Sequence, residues 1–411
     1  MKRLAPLAVV VAVVGMTYTY AAEGPVPQGV PHLDHVFVIL MENHGFIQIM
    51  NNPNAPFANR YARTANHANN YFAVGHPSLT NYLEIVGGSN FGVRSDNNPD
   101  WHNAACITNL TSGVANTDNP LSSNVCPIRG SGKDAETPAL DFTNETSGPP
   151  GVIDVDGKIS FAAAETTGKT IADQLAESGR SWKSYQESLP PSGADGVNFA
   201  DGFFTDSSNI PAVIPGEVQT LVKLYAAKHN PFVYFASVQE GSRPINSLRN
   251  IVGFSGNRGL FADLASGRVP NLSFIAPNQC NDQHGRGNGG PQCDFDPNDN
   301  GTQVGLNPAL IQVGDGVLQN IVNAIHSSPA WKQGKNAIVV VWDEDDFSIA
   351  PTTNQVLLIV DTNYGPHGVR SNNFYTHFSL TRTLEAGFGL SCLNHACDER
   401  TKVISDLFAG N

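Results

Sequence analysis

Runs of apolar residues alternate with amphipathic stretches along most of the chain. Continuous apolar runs are typical of strands buried on both faces of a parallel sheet, and they predict strands at residues 36–41, 232–238, 271–276, 336–342 and 356–360. Apolar residues at helical spacing predict helices at residues 170–178, 218–225, 315–325 and 377–389. This alternation predicts an α/β fold with a central, mainly parallel sheet and helices on both faces.

The alternation is interrupted between residues 89 and 168, where Asn, Ser, Gly, Asp and Pro dominate and no long amphipathic period survives. We expect a loop-rich insertion that lies over the rim of the sheet. At the beginning of the chain, Lys2 and Arg3 precede an apolar run at residues 4–16, and Tyr-Thr-Tyr-Ala-Ala follows at residues 18–22. This order is typical of a cleavable secretory signal, and the run is shorter than the roughly 20 residues that span a bilayer.

These features predict a signal peptide at residues 1–22 and one domain at residues 23–411, in a secreted or periplasmic protein without stable membrane insertion. The formal charge of the whole chain is −13, and no basic tract is present. Nucleic acid is therefore not an expected partner. Six cysteines in an exported chain indicate disulfides. The simplest pairing is local, with Cys106–Cys126, Cys280–Cys293 and Cys392–Cys397, although other connectivities are possible.

Polar side chains follow two of the predicted buried strands at the point where each strand ends. Glu42 and Asn43 follow residues 36–41, and four carboxylates at residues 343–346 follow residues 336–342. The carboxyl ends of strands face the ligand crevice in open α/β sheets. Adjacent carboxylates repel one another unless a cation neutralises them, so this position favours a metal ion with oxygen ligands. The alternatives are a solvated Glu42 and an acidic surface loop.

Ser78 lies at the predicted start of a helix. Pro77 precedes it, and the apolar residues that follow recur at helical spacing: Leu79, Tyr82, Leu83 and Val86. A helix N-terminus suits a nucleophile, because its free N–H groups and dipole stabilise an alkoxide and hold phosphate oxygens. The alternative is that Ser78 only caps the helix.

A third polar cluster follows the strand at residues 271–276. Asp282 and His284 are candidates there for general acid chemistry or metal binding, although a loop histidine is often only solvated. Further on, residues 296–301 resemble the first half of a calcium loop. The twelfth position is Asn307 instead of the bidentate Glu, so we interpret this segment as a turn.

Four segments together resemble the bacterial phosphoesterase family. They are Met-Glu-Asn-His at residues 41–44, His-Pro-Ser-Leu-Thr-Asn-Tyr at residues 76–82, Trp-Asp-Glu-Asp-Asp at residues 342–346, and Thr-His-Phe-Ser-Leu-Thr-Arg-Thr-Leu-Glu at residues 376–385. That family contains exported acid phosphatases and phosphatidylcholine-type phospholipases C, and it has the alkaline-phosphatase-like fold. The resemblance implies this fold and one or more divalent metal ions, either Ca²⁺, Mg²⁺, Mn²⁺ or Zn²⁺.

The resemblance also implies roles for individual residues. Ser78 corresponds to the nucleophile that forms a phosphoenzyme, and His284 to a histidine near the leaving group. The expected metal ligands are Glu42, Asn43, Ser78, Asp343 and Glu344. For relatives of the acid phosphatase type, the resemblance implies Asp as the alternative residue at the position of Glu344. To substrate binding we assign Asn81, His229, Asp282 and His377.

The resemblance implies a secreted phosphoesterase that acts on a small-molecule or lipid phosphate ester. The phospholipases typically have Arg-Ser-Phe-Asp after the Glu-Asn pair, whereas His44-Gly45-Phe46 stands here. This departure favours an acid-phosphatase-type phosphomonoesterase, with a phospholipase C-type phosphodiesterase as the alternative. A non-catalytic secreted binding protein would not explain the carboxylates at a buried strand end. A serine hydrolase is disfavoured, because Ser78 lacks the Gly-x-Ser-x-Gly motif. The sequence does not indicate an oligomeric state.

Overall fold

A computed structural model describes residues 22–93, 95–101, 125–134, 164–189, 197, 224–242, 245–286, 290–298, 300–346 and 354–408. Within these residues, the chain forms twelve strands, which we number in chain order. They are β1 (His35–Met41), β2 (Asn66–Ala68), β3 (Tyr71–Phe72), β4 (Ser131–Lys133), β5 (Glu165–Thr167), β6 (Trp182–Gln186), β7 (Ile251–Val252), β8 (Leu272–Ala276), β9 (Asn336–Trp342), β10 (Leu358–Thr362), β11 (Arg370–Ser371) and β12 (Tyr375–Thr376).

Eight strands form the central sheet, in the order β11-β2-β10-β9-β1-β8-β6-β7. All neighbouring pairs are parallel except the two that involve β10, which is antiparallel to β9 and to β2. The predicted mainly parallel sheet is therefore confirmed. The predicted strand at residues 356–360 corresponds to β10. Its opposite direction places its carboxyl end away from the rim that the other strands share.

The described α-helices are α1 (Phe46–Ile49), α2 (Pro56–Thr64), α3 (Ser78–Gly87), α4 (Ile171–Glu177), α5 (Ala236–Gln239), α6 (Leu260–Ser266), α7 (Pro308–Ser327) and α8 (His377–Phe388). Helices α2, α6 and α7 pack in one contacting group, and α3, α4 and α8 pack in another. Every residue of β9 is buried, and so is every residue of β1 after His35. Both faces of the central sheet are therefore covered.

Two predicted elements differ from the structure. Residues 232–238 do not form a strand: Pro231–Tyr234 is a 3-10 helix, and α5 follows it. Short, wholly buried apolar runs carry no periodicity that separates strand from helix. The helix expected to start near Asp315 begins instead at Pro308, where the Asn307 side chain accepts the Ala309 N–H at 3.1 Å. Asp315 caps α2, because its carboxylate accepts the N–H groups of Phe57 and Ala58.

Two of the three expected disulfides lie in the described residues and are present, Cys280–Cys293 and Cys392–Cys397. Cys106 lies outside the described residues, as do the expected signal peptide up to residue 21, much of the insertion at residues 89–168, and the expected helix at residues 218–223. Among the described residues, no helix combines the length and apolar character that a membrane crossing requires.

Candidate active site

Glu42 and Asp343 meet at the carboxyl ends of β1 and β9. Met41 and Trp342 are paired in the parallel register of these strands, and the Asp343 N–H donates to the Met41 carbonyl at 3.0 Å. The Asn43 N–H in turn donates to Asp343 Oδ1 at 3.1 Å. The loop after β8 joins the same rim, because the Glu42 N–H donates to the Asp282 carbonyl at 2.9 Å. The sheet thus brings together residues that are about 300 positions apart in sequence.

Ser78 is the first residue of α3, and its side chain does not cap the helix. The N-cap residue is Pro77, which has extended backbone geometry. The Ser78 Oγ lies 3.1 Å from Glu42 Oε2 and 3.0 Å from Glu344 Oε1. A hydroxyl has one proton, so it donates to one of these carboxylates at a time. The helix start, the β1 end and the β9 end therefore converge on one buried hydroxyl.

The segment before α3 is held by side chains that also contact Glu344. Asn81 Oδ1 accepts the N–H groups of Val74 and Gly75, and its Nδ2 donates to the Gly75 carbonyl and to Glu344 Oε2. His76 Nδ1 lies 2.6 Å from the same Glu344 oxygen. Asn81 therefore fixes the loop that carries Ser78 and orients one of the carboxylates around it.

The site holds more negative charge than its surroundings compensate. Burial and, after it, neighbouring carboxylates raise the pKa values of Glu42, Asp343 and Glu344 well above the usual range. Asp343 Oδ2 is buried and has no hydrogen-bond partner among the described residues. A buried acceptor of this kind is costly unless a cation or a proton satisfies it. The donor set of carboxylate and hydroxyl oxygens therefore fits a hard divalent cation.

His229 lies between two carboxyl groups on the other side of Glu42. Its Nε2 is 3.2 Å from Glu42 Oε1, and its Nδ1 is 3.2 Å from Asp282 Oδ2. Its ring stacks on Tyr82 of α3, with 5.3 Å between the ring centroids. Burial and the Lys228 ammonium lower the pKa of His229 well below its usual value.

Lys228 is a buried cation beside this group. Its Nζ lies 2.8 Å from Asp96 Oδ2 and 3.2 Å from His284 Nε2. His284 Nδ1 donates to the Gly285 carbonyl at 2.8 Å, which leaves Nε2 as the acceptor facing Lys228. Burial, followed by the Lys228 charge, lowers the pKa of His284 to about 3. The backbone N–H of His284 donates to Asp282 Oδ1, within the loop that the Cys280–Cys293 disulfide closes.

His377 contacts the backbone at the end of β9. Its ring is fully buried, with Nε2 2.5 Å from the Asp343 carbonyl and Nδ1 2.9 Å from the Tyr71 hydroxyl. Since a carbonyl only accepts, Nε2 carries the proton and Nδ1 accepts from Tyr71. His377 thus holds the backbone at the end of β9.

Among the described residues, the one group of His, Cys, Asp or Glu side chains whose ligand atoms are close enough together to hold a metal ion lies next to the carboxylates around Ser78. It consists of His44, Asp296 and Asp346, whose ligand atoms all lie within 4.8 Å of one another. His44 Nδ1 donates to the Glu42 carbonyl at 3.1 Å, and Nε2 lies 2.9 Å from Asp296 Oδ2. Asp296 belongs to the segment that resembles a calcium loop, and its other oxygen accepts the Asn307 N–H.

Three residues at the site were not among the sequence candidates: His76, Asp96 and Lys228. His76 and Lys228 each precede a residue that was identified, Ser78 by two positions and His229 by one. Adjacency to a candidate was therefore an available signal for both. Asp96 lies in the loop-rich stretch at residues 89–168, where the sequence has no period that could place it.

A model of the phosphoesterase family matches residues 47–290, which is more than half of the chain. An acid phosphatase of Aspergillus fumigatus is 24% identical over 325 residues, or 79% of this chain and 48% of that protein. A phosphatidylinositol-3-phosphatase of Mycobacterium tuberculosis is 23% identical over 384 residues, or 91% of this chain and 85% of that protein. The chain thus spans about half the length of the fungal enzyme.

Among solved structures, a protein in the alkaline phosphatase superfamily from Vibrio parahaemolyticus aligns with 93% of this chain and 76% of its own, at 12% identity and a TM-score of 0.44. The family match includes Ser78, Asn81, His229, Asp282 and His284. The carboxylates at the ends of β1 and β9 lie outside the matched residues, so their place in the site rests on the geometry described above.

Proposed function

The chain belongs to the phosphoesterase family, and from that membership we propose that it is a metal-dependent phosphomonoesterase that works through a phosphoseryl intermediate at Ser78. The observation that carries this proposal is the position of the Ser78 hydroxyl, within 3.1 Å of two buried carboxylates at the first residue of α3. The relatives named acid phosphatase and phosphatidylinositol-3-phosphatase support a phosphate ester as the substrate.

The proposed metal ligands are those that the sequence predicts: Glu42, Asn43, Ser78, Asp343 and Glu344. A bound divalent cation would lower the pKa of the serine hydroxyl and neutralise charge on a phosphoryl oxygen. The chain's own residues prepare for this chemistry, because Asn81 and His76 orient Glu344 while His377 fixes the backbone of Asp343. Whether Asn81 and His377 also contact the substrate stays a prediction.

In the proposed first step, Ser78 Oγ attacks phosphorus in line with the bond to the leaving alcohol. Its proton passes to Glu42 or Glu344, the two acceptors within hydrogen-bond distance. The P–O bond to the alcohol breaks, and the alcohol oxygen takes up a proton as it departs. Water then attacks the phosphoserine from the opposite side, which releases phosphate and restores the serine hydroxyl.

We assign protonation of the leaving alcohol to His284. Its Nε2 is the ring nitrogen that is not bound to the Gly285 carbonyl, so this nitrogen would pass a proton from solvent to the leaving oxygen, while Lys228, 3.2 Å away, keeps its charge. His284 rests in the neutral form because of its lowered pKa. It would therefore carry the proton only while charge develops on the leaving oxygen. His229 and Asp282, which line the same side of Glu42, are the proposed substrate-facing residues.

An assay panel tests the proposed function. The substrates are p-nitrophenyl phosphate, bis-p-nitrophenyl phosphate, phosphatidylinositol 3-phosphate and a phosphatidylcholine analogue, each with and without a chelator. We expect hydrolysis of the monoesters, loss of activity with chelator, and recovery when a divalent cation is restored. Hydrolysis of the diester and phosphatidylcholine alone would favour the phospholipase C alternative, and chelator-resistant activity would contradict the metal-dependent mechanism.

We also propose export, which the pattern at residues 1–22 and the two described disulfides support. Sequencing of the N-terminus of the protein recovered from the producing cells and from their medium tests this. A processed N-terminus near residue 22 in the exported fraction is expected. An unprocessed chain confined to the cytoplasm would contradict the proposal.

A further inference from the structure

Asp96 bridges two donors at the start of the nucleophile helix. Its Oδ1 accepts the Leu79 N–H at 2.9 Å, and its Oδ2 accepts from Lys228 Nζ at 2.8 Å. The side chains of Asp96 and Lys228 are only 4% and 1% exposed. Leu79 is the residue after Ser78, so the carboxylate is held directly beside the nucleophile.

These two donors are of the kind that bind phosphoryl groups in proteins. The α3 helix has ten residues, no side-chain cap and no acidic residue in its first turn. Its first N–H groups therefore lack an anion from within the helix. Lys228 adds a full positive charge whose burial requires a paired anion. An N–H at a helix start together with an ammonium is a typical anion-binding pair, and phosphate can bridge it as a carboxylate does.

We propose that the Asp96 carboxylate occupies the position of a phosphoryl oxygen in the resting site, and that substrate and inorganic phosphate bind by displacing it from Leu79 and Lys228. This inference rests on the proposed function for the identity of the ligand. Asp96 is thereby a regulatory residue: it keeps the buried lysine paired when the site is empty, and it competes with the phosphate product for the same donors.

The position of Asp96 does not depend on the ion pair alone. The carbonyl of Asn97 accepts the Tyr234 hydroxyl at 2.9 Å, and the carbonyl of Asn98 accepts the Val125 N–H at 2.8 Å. These contacts anchor the segment just after Asp96. We therefore expect a variant without the carboxylate to keep this segment in place, so that its effect on ligand binding can be measured.

Competition between Asp96 and phosphate should lower the affinity for phosphate. A bound phosphate dianion and the displaced carboxylate repel each other at short range, so Asp96 weakens phosphate affinity and favours product release. Neutralising Asp96 should remove this repulsion and the competing carboxylate. Neutralising Lys228 should do the opposite, because the site then loses its buried cation.

The test is calorimetric titration of inorganic phosphate into the full-length protein loaded with its metal. We expect Asp96→Asn to bind phosphate about tenfold more tightly than the unaltered protein, and Lys228→Met to bind it at least about tenfold more weakly. Asp96→Glu keeps the charge and should stay close to the unaltered protein. Two controls are Glu240→Gln, which removes one negative charge from an exposed ion pair, and Lys183→Met, which removes a lysine paired with Asp263. Neither should change phosphate affinity.

Unchanged or weaker phosphate binding in Asp96→Asn, with a melting temperature near that of the unaltered protein, would overturn the inference and leave Asp96 as a structural clamp. If Asp96→Asn does not fold, the same titration is made with Asp96→Ala. Tighter phosphate binding by that variant would support the inference, and unchanged or weaker binding would overturn it. Titration needs no turnover. Tighter phosphate binding by Asp96→Asn, in a protein that hydrolyses no monoester, would therefore support the displacement of Asp96 and contradict the proposed function. Monoester hydrolysis together with unchanged or weaker phosphate binding by Asp96→Asn would support the proposed function and contradict the displacement.

Discussion

Three carboxylates are buried around the Ser78 hydroxyl, those of Glu42, Asp343 and Glu344. Their mutual repulsion lowers the stability of the folded protein. Burial and neighbouring carboxylates raise the pKa of all three groups. In the absence of a cation, the folded protein bears this cost. The proposed cation would convert the same three charges into attraction. Metal binding would therefore be coupled to folding through these side chains.

Asp343→Asn tests this coupling. Without metal, the variant should melt at the same temperature as the unaltered protein or at a higher one, because one buried charge is removed. With metal, it should lose most of the metal-induced rise in melting temperature, and its activity should fall by roughly a hundredfold or more. The measurement is a thermal melt with chelator and with added cation. The exposed Asp294 provides the control, since Asp294→Asn should change neither melt.

His284→Asn tests the assignment of the leaving-group acid. An acid that protonates the departing oxygen matters most when that oxygen is strongly basic. Turnover of an alkyl phosphate such as glycerol 2-phosphate should therefore fall by about 100-fold, whereas turnover of p-nitrophenyl phosphate should fall much less. Equal losses for the two substrates would instead place His284 in a positioning role, through its contact with Lys228.

Residues at strand ends and at the helix start could be predicted from the sequence, because a parallel sheet brings the carboxyl ends of its strands to one rim. Glu42, Asp343 and Ser78 are examples. The ion pair of Lys228 with Asp96 could not be predicted, because its members are 132 positions apart and neither is part of a periodic segment. Only the folded chain shows that the two are close to each other.

Among the secondary-structure elements, most strands with continuous apolar runs were predicted closely, whereas the run at residues 232–238 and the start of α7 were not. Strand β9 has the predicted bounds, and α8 begins at the expected His377. The run at residues 232–238 forms helical turns instead of a strand, since Pro231 occupies the first helical position and burial on all sides removes any period. The start of α7 lies seven residues before Asp315, because the carboxylate expected to cap it caps α2.

The Cys280–Cys293 disulfide closes the loop between β8 and α7 that carries Asp282 and His284. Replacing both cysteines by Ser should lower activity by about tenfold or more, because the loop then samples conformations in which His284 is misplaced. The matched control is the double replacement of Cys392 and Cys397, whose disulfide joins positions separated by 5 residues in sequence, after α8. This control should affect stability more than turnover. Activity assays alongside thermal melts distinguish the two effects.

The contact between His44, just after β1, and Asp296 predicts a pH dependence of stability. Burial opposes the charged ring, but Asp296 and Asp346 outweigh it and raise the pKa of His44 from 6.5 to about 9. A group with a raised pKa stabilises the fold fully below its unfolded value and loses that contribution as the pH rises through its folded value. The free energy of unfolding should therefore decrease between about pH 6.5 and pH 9, by at most about 3.4 kcal/mol.

Urea unfolding in the presence of chelator, at pH 6 and at pH 9.5, measures this dependence. In His44→Asn the difference between the two values should shrink, because the group that titrates is absent. A variant with an undiminished difference would show that other groups cause the loss of stability. The chelator is required, since a metal ion on His44, Asp296 and Asp346 would replace the proton.

For the molecule as a whole, the family match and the geometry of the sheet support different residues of the candidate site. The family match covers Ser78, the proposed nucleophile, and the His229 and His284 side of the site. The sheet places the remaining proposed ligands, because β1 and β9 are neighbours and end at the same rim. The charge balance of the complete chain is acidic, so the buried Lys228 provides a local positive charge that the overall composition does not indicate.

The central claim is that Ser78 carries the phosphoryl group during turnover, and trapping that intermediate tests it most directly. The protein is mixed with p-nitrophenyl phosphate, quenched in acid within the first turnovers, digested and examined by mass spectrometry. The account predicts a phosphorylated peptide with the modification on Ser78, and its loss together with activity in Ser78→Ala but not in the control Ser266→Ala. Phosphate found on another residue, or near-normal monoester hydrolysis by Ser78→Ala, would contradict it.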